Sequence, residues 1–275
     1  MKTTRRRIAR RTTITALLSS LALVGVSAAA DSAAASSAEP KPTVVLVHGA
    51  WADASGFEKV EAGLRRAGYP VLEFADPLRS LPDDSATLAT FLRVRTQGPV
   101  ILVGHSYGGA VITNAATSDP DVKALVYIDA FVPAQGETLN DLININGPID
   151  PTALFDFAPY AGGPAGDVDL YLKGSVFSTV FANGLPKPEQ DRLYAAQRPL
   201  AASALDEPSG TPAWSTIPSW YVEGTQDHII PAALQEYMAK RAGSHVTTVD
   251  AGHLSFIARP DVVVSTILQA ARATH

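Results

Sequence analysis

With 275 residues, of which 46% are hydrophobic and 18% charged, the chain has room for one large domain or two small ones and the composition of an ordinary globular protein. A formal net charge of −5 leaves no basic excess and argues against nucleic acid as a partner. Cysteine is absent, which excludes disulfides and thiolate metal sites without fixing the compartment.

The first forty residues carry a separate signal. Arg5, Arg6, Arg7, Arg10 and Arg11 form a positive cluster, an apolar stretch runs from Ile14 to Val26, and Ala28-Ala29-Ala30 follows. Positive, apolar, then small is the pattern of a cleaved secretory signal, and the apolar stretch is short for a membrane span. Residues 1–30 are therefore expected to be a signal peptide and 31–42 a flexible lead. Export to the outside, with no stable membrane anchor, is the expected fate. The Arg10-Arg11 pair fits a twin-arginine signal poorly because Thr12 and Thr13 follow it.

From Thr43 the pattern changes. Thr43 to Val47 is a short β-branched apolar run ending at His48-Gly49, which predicts a buried strand. Phe57, Val60 and Leu64 recur at helical spacing between Ser55 and Ala67, and Gly68 stops them. Tyr69 to Phe74 is predicted as a strand, then Ala86 to Arg95 as a helix capped by Asp83-Asp84-Ser85. Val100 to Val103 is a third strand, Tyr107 to Ala116 a helix and Ala124 to Ile128 a fourth strand. Strands alternating with helices, and apolar throughout, predict a parallel sheet covered on both faces.

Regularity lapses between Pro133 and Pro212. That stretch is rich in Gly, Pro and aromatics (Phe155, Phe157, Tyr160, Tyr171, Phe177, Phe181) and reads as an insertion of short helices, not a second domain. Ser219 to Val222 then predicts a strand, Ala232 to Ala242 a helix, His245 to Val249 a strand and Asp261 to Ala271 a closing helix.

Gly104-His105-Ser106-Tyr107-Gly108 fits G-x-S-x-G between an apolar strand and a helix, the setting in which a serine is held on a tight turn as a nucleophile. The helix that follows aims its positive end at a developing anion. A serine hydroxyl needs a base. Of the six histidines, His253 follows a strand and precedes the last helix, so it can meet Ser106 at the shared strand edge. His48 ends the first strand, His105 should point away from the turn, His228 adjoins an acid candidate, His245 starts a strand at the opposite edge, and His275 is terminal. The base in turn needs a carboxylate. Asp227 and Asp129 each follow a strand and both qualify. A tetrahedral intermediate also needs two backbone donors: the N–H of Tyr107 and one from His48-Gly49-Ala50-Trp51, with Ala50 preferred and Trp51 second.

These segments together resemble the α/β-hydrolase superfamily, and within it the small-esterase group that includes plant methylesterases and hydroxynitrile lyases. VLVHGAW (Val45 to Trp51), LVGHSYGG (Leu102 to Gly109), YVEGTQDHIIP (Tyr221 to Pro231) and VDAGHLSFIARPD (Val249 to Asp261) carry the resemblance. It implies an α/β fold over residues 43–275, with a mostly parallel central sheet flanked by helices and a helical cap insertion at about 133–212. It implies Ser106, Asp227 and His253 as the triad, since the family's chain order is Ser, Asp, His, and Ala50 and Tyr107 as the oxyanion hole. Asp129 then becomes a hydrogen-bonding loop residue. The lyases of this group carry Lys directly after the catalytic His, where this chain has Leu254. That departure favours hydrolysis of a small, apolar ester by two-step acyl transfer, without metal or organic cofactor. The rival readings are another reaction on the same triad (lyase or perhydrolase) and a non-catalytic binding protein.

Overall fold

The computed structural model describes residues 40–274, so the expected signal peptide, the first part of the lead and His275 lie outside the described residues. In chain order, β1 (Thr43–Val47), α1 (Glu58–Arg66), β2 (Val71–Phe74), α2 (Leu81–Arg95), β3 (Val100–His105), α3 (Tyr107–Ala115) and β4 (Val122–Ile128) alternate as the apolar runs predict. An insertion follows: α4 (Leu139–Ile143), α5 (Pro151–Leu154), β5 (Phe155–Ala158), β6 (Asp169–Leu172), α6 (Gly174–Val176) continued by a π-helical turn at Phe177–Phe181, α7 (Lys187–Ala195) and β7 (Leu200–Ala201). The alternation resumes with β8 (Ser219–Gly224), α8 (Ala232–Arg241), β9 (His245–Val249), α9 (Ser255–Ala258) and α10 (Pro260–Ala273).

Six strands form one sheet in the order β2-β1-β3-β4-β8-β9, every pairing parallel. All residues of β3 and β8 are buried, as are nearly all of β1 and β4, so helices cover both faces and the strands need no polar side. α1 packs on α10, and α2 on α3. The chain leaves β1 toward β2 and returns to β3 on the other side of β1. Such a reversal of direction opens a crevice beyond the carboxyl ends of β1 and β3, the usual place for a ligand in an open α/β sheet.

Two features depart from the expectations. α2 begins at Leu81, five residues early, because Ser80 is its N-cap and accepts the Asp83 N–H at 3.4 Å, with Pro82 in the first turn. Asp84 is buried inside the helix. The insertion is helical but also holds a three-stranded antiparallel sheet, β5-β6-β7. Its strands are two to four residues long, too short to leave a period in the sequence. This cap is fastened to the body at the loops after β1 and β2. The Trp51 indole N–H donates to the Leu170 carbonyl at 2.9 Å, the Ala201 N–H donates to Leu78 O at 3.0 Å, and Arg79 pairs with Asp169 at 2.7 Å. Among the described residues no helix is long and apolar enough to cross a membrane.

Candidate active site

Ser106 sits between β3 and α3 with φ 53° and ψ −122°, a left-handed conformation that a side chain rarely tolerates. Close packing holds it there. A Cβ on Gly104 would lie 2.6 Å from the Gly108 carbonyl, and one on Gly49 2.7 Å from Ser106 Cβ, so only glycine allows the loop after β1 to press against this turn. The strained turn lifts the Ser106 hydroxyl above the carboxyl edge of the sheet.

His253 lies beyond β9 and Asp227 beyond β8, at the same edge. His253 Nε2 is 2.9 Å from Ser106 Oγ, and His253 Nδ1 is 2.8 Å from Asp227 Oδ2. All three side chains are buried. This is the geometry of a Ser-His-Asp triad. The carboxylate at Nδ1 fixes the tautomer that leaves Nε2 free to accept the serine proton. Asp227 is fixed in turn. Its Oδ1 accepts the N–H groups of Ile229 at 2.7 Å and Ile230 at 3.0 Å, while the Gln235 amide donates to Oδ2 at 2.9 Å. Four donors thus converge on one carboxylate and hold it ready for an imidazolium.

Asp129, the rival acid, has φ 44° and is fully buried below this line. It accepts the N–H groups of Gly224 at 2.8 Å and Ser255 at 3.2 Å and does not reach His253. Burial first, then the nearby Asp227 charge, push its carboxyl well above the usual range. Its part is to tie β4 to the loops that carry Asp227 and His253.

The remaining histidines are structural or peripheral. His105 is buried and its Nε2–H donates to the His253 carbonyl at 2.9 Å, which steadies the base from behind. His48 holds the loop after β1: Nδ1–H donates to Gly49 O at 2.9 Å, and Nε2 accepts the Asp76 N–H at 3.0 Å. Burial lowers its pKa to about 4, so the ring is neutral. His228 is exposed at the cavity, and His245 opens β9 beside Trp220.

A cavity of about 410 Å³ opens over Ser106, bordered by Ala50, Trp51 and Tyr107 below and by the cap above. Of the six cap aromatics, Phe155 and Phe157 line it. Phe177 and Phe181 are buried in the cap, with Phe181 packed against Trp51 and against the His253 ring, centroids 6.0 and 5.3 Å away. Leu254 is buried and does not line the cavity, so an apolar contact from it to substrate is not part of this site. Trp51 N–H is engaged by the Arg198 carbonyl at 3.0 Å. Among the described residues, no group of three His, Asp or Glu side chains could hold a metal ion.

The motifs miss Gln235, which donates to Asp227, and Asp84, which accepts the Tyr107 hydroxyl at 2.9 Å. The signal for both is a polar residue on a buried helical face: Gln235 beside Leu234, Met238 and Ala239 in α8, and Asp84 beside Leu81, Leu88 and Leu92 in α2.

The profile of the alpha/beta hydrolase family matches residues 44–266. A carbendazim hydrolyzing esterase of Nocardioides sp. is 39% identical over 123 residues, covering 40% of this chain and 51% of that protein, so the match spans about half of it. A pyrethroid hydrolase of Sphingobium wenxiniae is 27% identical over 84% of this chain and 88% of its own length. In three dimensions an extracellular alpha/beta-hydrolase from a Paenibacillus species superposes with a TM-score of 0.67 at 21% identity, covering 84% of this chain and 99% of the other. Plant methylesterases are also among the relatives, as the motifs imply. The chain belongs to the alpha/beta hydrolase family.

Proposed function

We propose that this chain is an exported hydrolase of neutral, largely apolar carboxylic esters. Ser106 is the nucleophile, His253 the general base and acid, and Asp227 the carboxylate that orients it. The observation that carries the reading is the unbroken line Ser106 Oγ, His253, Asp227, with links of 2.9 and 2.8 Å, at the floor of a cavity large enough for a small molecule.

The chemistry follows from that line. Ser106 Oγ attacks the ester carbonyl while its proton passes to His253 Nε2, and Asp227 stabilises the imidazolium. The carbonyl oxygen becomes an oxyanion. We assign its donors to the backbone N–H groups of Ala50 and Tyr107, two residues that line the cavity together with Ser106. Trp51 N–H is the poorer choice because a carbonyl already takes it. His253 returns the proton to the leaving alkoxide, which departs as alcohol. Water then attacks the acyl-enzyme with the same histidine as base, and the acid leaves with Ser106 restored.

The cavity wall points to substrate class. Leu139, Ile143, Leu154, Phe155, Leu170 and Leu172 contribute hydrocarbon, and no Lys or Arg is among the lining residues. A substrate carboxylate would find no counter-charge and would meet the Asp206 carboxylate on the wall. Two relatives, named a carbendazim hydrolyzing esterase and a pyrethroid hydrolase, support a small-molecule substrate as well.

The test is a panel of p-nitrophenyl esters of graded acyl length, with a cyanohydrin and an ester bearing a free carboxylate alongside. Neutral esters should turn over fastest, a fluorophosphonate should label Ser106, and Ser106→Ala should lower turnover by roughly 10⁴ or more. Faster cyanide release than ester cleavage would replace hydrolysis with lyase chemistry on the same triad. Export rests on the Arg cluster, apolar stretch and Ala28-Ala29-Ala30. We take residues 1–30 as the signal peptide, 31–42 as the lead and 43–275 as the catalytic domain. Mass spectrometry of the medium should find an N-terminus between Ala28 and Glu39, and an exported form that keeps Met1 would refute cleavage.

A further inference from the structure

The cap grips the loop after β1 most fully at one residue. Arg198 lies between α7 and β7, is half-buried, and does not line the cavity. It holds the loop by two arms. Its guanidinium Nη1 is 3.3 Å from His48 Nε2, and its carbonyl accepts the Trp51 N–H at 3.0 Å. His48 and Trp51 flank Gly49 and Ala50, so both ends of the turn that carries the Ala50 N–H are fastened to this residue. Nothing else claims the guanidinium. Among the described residues it has no carboxylate partner, and its hydrogen bond to His48 is the only one it makes.

Each arm bears on a peptide plane. The Asp76 N–H, at 3.0 Å, and the Arg198 guanidinium are both donors, so His48 Nε2 must accept and the ring hydrogen sits on Nδ1. Burial chiefly, with the Arg198 charge adding to it, keeps the ring from taking a second proton. Nδ1–H then donates to the Gly49 carbonyl at 2.9 Å. That carbonyl belongs to the same peptide unit as the Ala50 N–H, and across a trans peptide the two groups point in opposite directions. Drawing Gly49 O toward the ring therefore turns the Ala50 N–H away from it. The second arm works one residue further on. Trp51 has φ 57°, a conformation that a bulky side chain seldom adopts, and both of its donors end on cap carbonyls: the backbone N–H on Arg198 and the indole N–H on Leu170 at 2.9 Å. We propose that Arg198 is a positioning residue for the oxyanion hole, through which the cap sets the direction of the Ala50 N–H as well as the shape of the cavity. This rests on the esterase reading and the oxyanion assignment above. An oxyanion hole works by donors fixed in advance, and small misplacement weakens the transition state more than the ground state.

The test is steady-state kinetics on p-nitrophenyl esters from acetate upward, with thermal melting to confirm folding. Arg198→Met keeps the hydrocarbon stem and the backbone carbonyl but removes the donor to His48. It should lower kcat roughly tenfold at every acyl length, part of the 10²–10³ that follows loss of a whole oxyanion donor, with KM within about twofold. An alkyl trifluoromethyl ketone, whose carbonyl takes up Ser106 Oγ to leave a tetrahedral oxyanion, should lose affinity by a similar factor. Arg198→Lys keeps a charged donor and should recover part of both losses. Arg198→Met at full kcat, a loss confined to KM or growing with acyl length, an unchanged affinity for the ketone, or Arg198→Lys no better than Arg198→Met would each overturn the proposal. An Arg198→Met protein that fails to fold counts the same way, because a role in positioning leaves the fold standing. Fluorophosphonate labelling of the wild-type protein separates this claim from its parent. Without labelling at Ser106 both readings fall. With labelling, and with Arg198→Met unimpaired, only the role of Arg198 falls.

Discussion

Away from the cavity, aromatic side chains in the body of the molecule pack on one another in the core. Phe57 lies against Phe256 with ring centroids 4.6 Å apart, and both are fully buried. In the cap, Phe155 stacks on Trp51 at 5.4 Å and borders the cavity, and Phe157 borders it while remaining 46% exposed. The body fixes three side chains on three strand ends to within hydrogen-bonding tolerance. The cap supplies a wall whose shape decides what reaches them. Precision needs long strands buried on both sides, whereas a wall can be built from short pieces.

The largest effects should come from the body. Asp227→Asn should lower kcat by roughly 10⁴, as in other triads, because an amide facing Nδ1 forces the wrong imidazole tautomer. Asp129→Asn is the control on the same sheet edge. Asp129 receives two backbone N–H groups and does not touch His253. The amide can serve one of them and sets N–H against N–H at the other, so about 1–3 kcal/mol of stability should be lost while kcat stays within roughly tenfold. Side-by-side turnover and denaturant melts check both, and reversed results would move the acid to Asp129.

The same contrast explains how much the sequence discloses. β1, β3, β4 and β8 are apolar runs because both their faces are covered, so they stand out one by one. Ser106 and His253 are marked by where they fall relative to strand ends. Asp227 is not separable from Asp129 on that ground, since both follow strands, and the family's chain order decides between them. The contact that does separate them, 2.8 Å to His253, exists only in three dimensions. Asp83-Asp84-Ser85 reads as a cap because Asp and Ser cap helices. Nothing nearby in sequence reveals that Asp84 spends its oxygens on the Tyr107 hydroxyl and on the Arg79 and Ser80 N–H groups. The cap is opaque for a different reason: the two residues of β7 carry no period, and their pairing with β6 is decided by the fold around them.

Two phenylalanines bring the comparison to its finest point. Phe57→Ala should open a cavity in the body and cost about 3–5 kcal/mol of stability, with the order of preference among esters unchanged in whatever protein remains folded. Phe157→Ala removes a half-exposed ring on β5 that contributes little to the core, so stability should change by less than about 1 kcal/mol. Its effect should appear in selectivity. An aromatic wall contact with a bound acyl chain is worth about 1 kcal/mol, which corresponds to roughly a fivefold change in kcat/KM. Esters long or bulky enough to reach β5 should lose that factor through KM, and an acetate ester, too short to leave the neighbourhood of Ser106, should not. The measurement is kcat/KM across the acyl series for both variants, with melting curves alongside. If Phe157→Ala weakened short and long esters equally, the cap would be acting through the triad and not as a wall. If it destabilised the protein as much as Phe57→Ala, the division between a packed body and a shaping cap would fail at the residue where the two are easiest to tell apart.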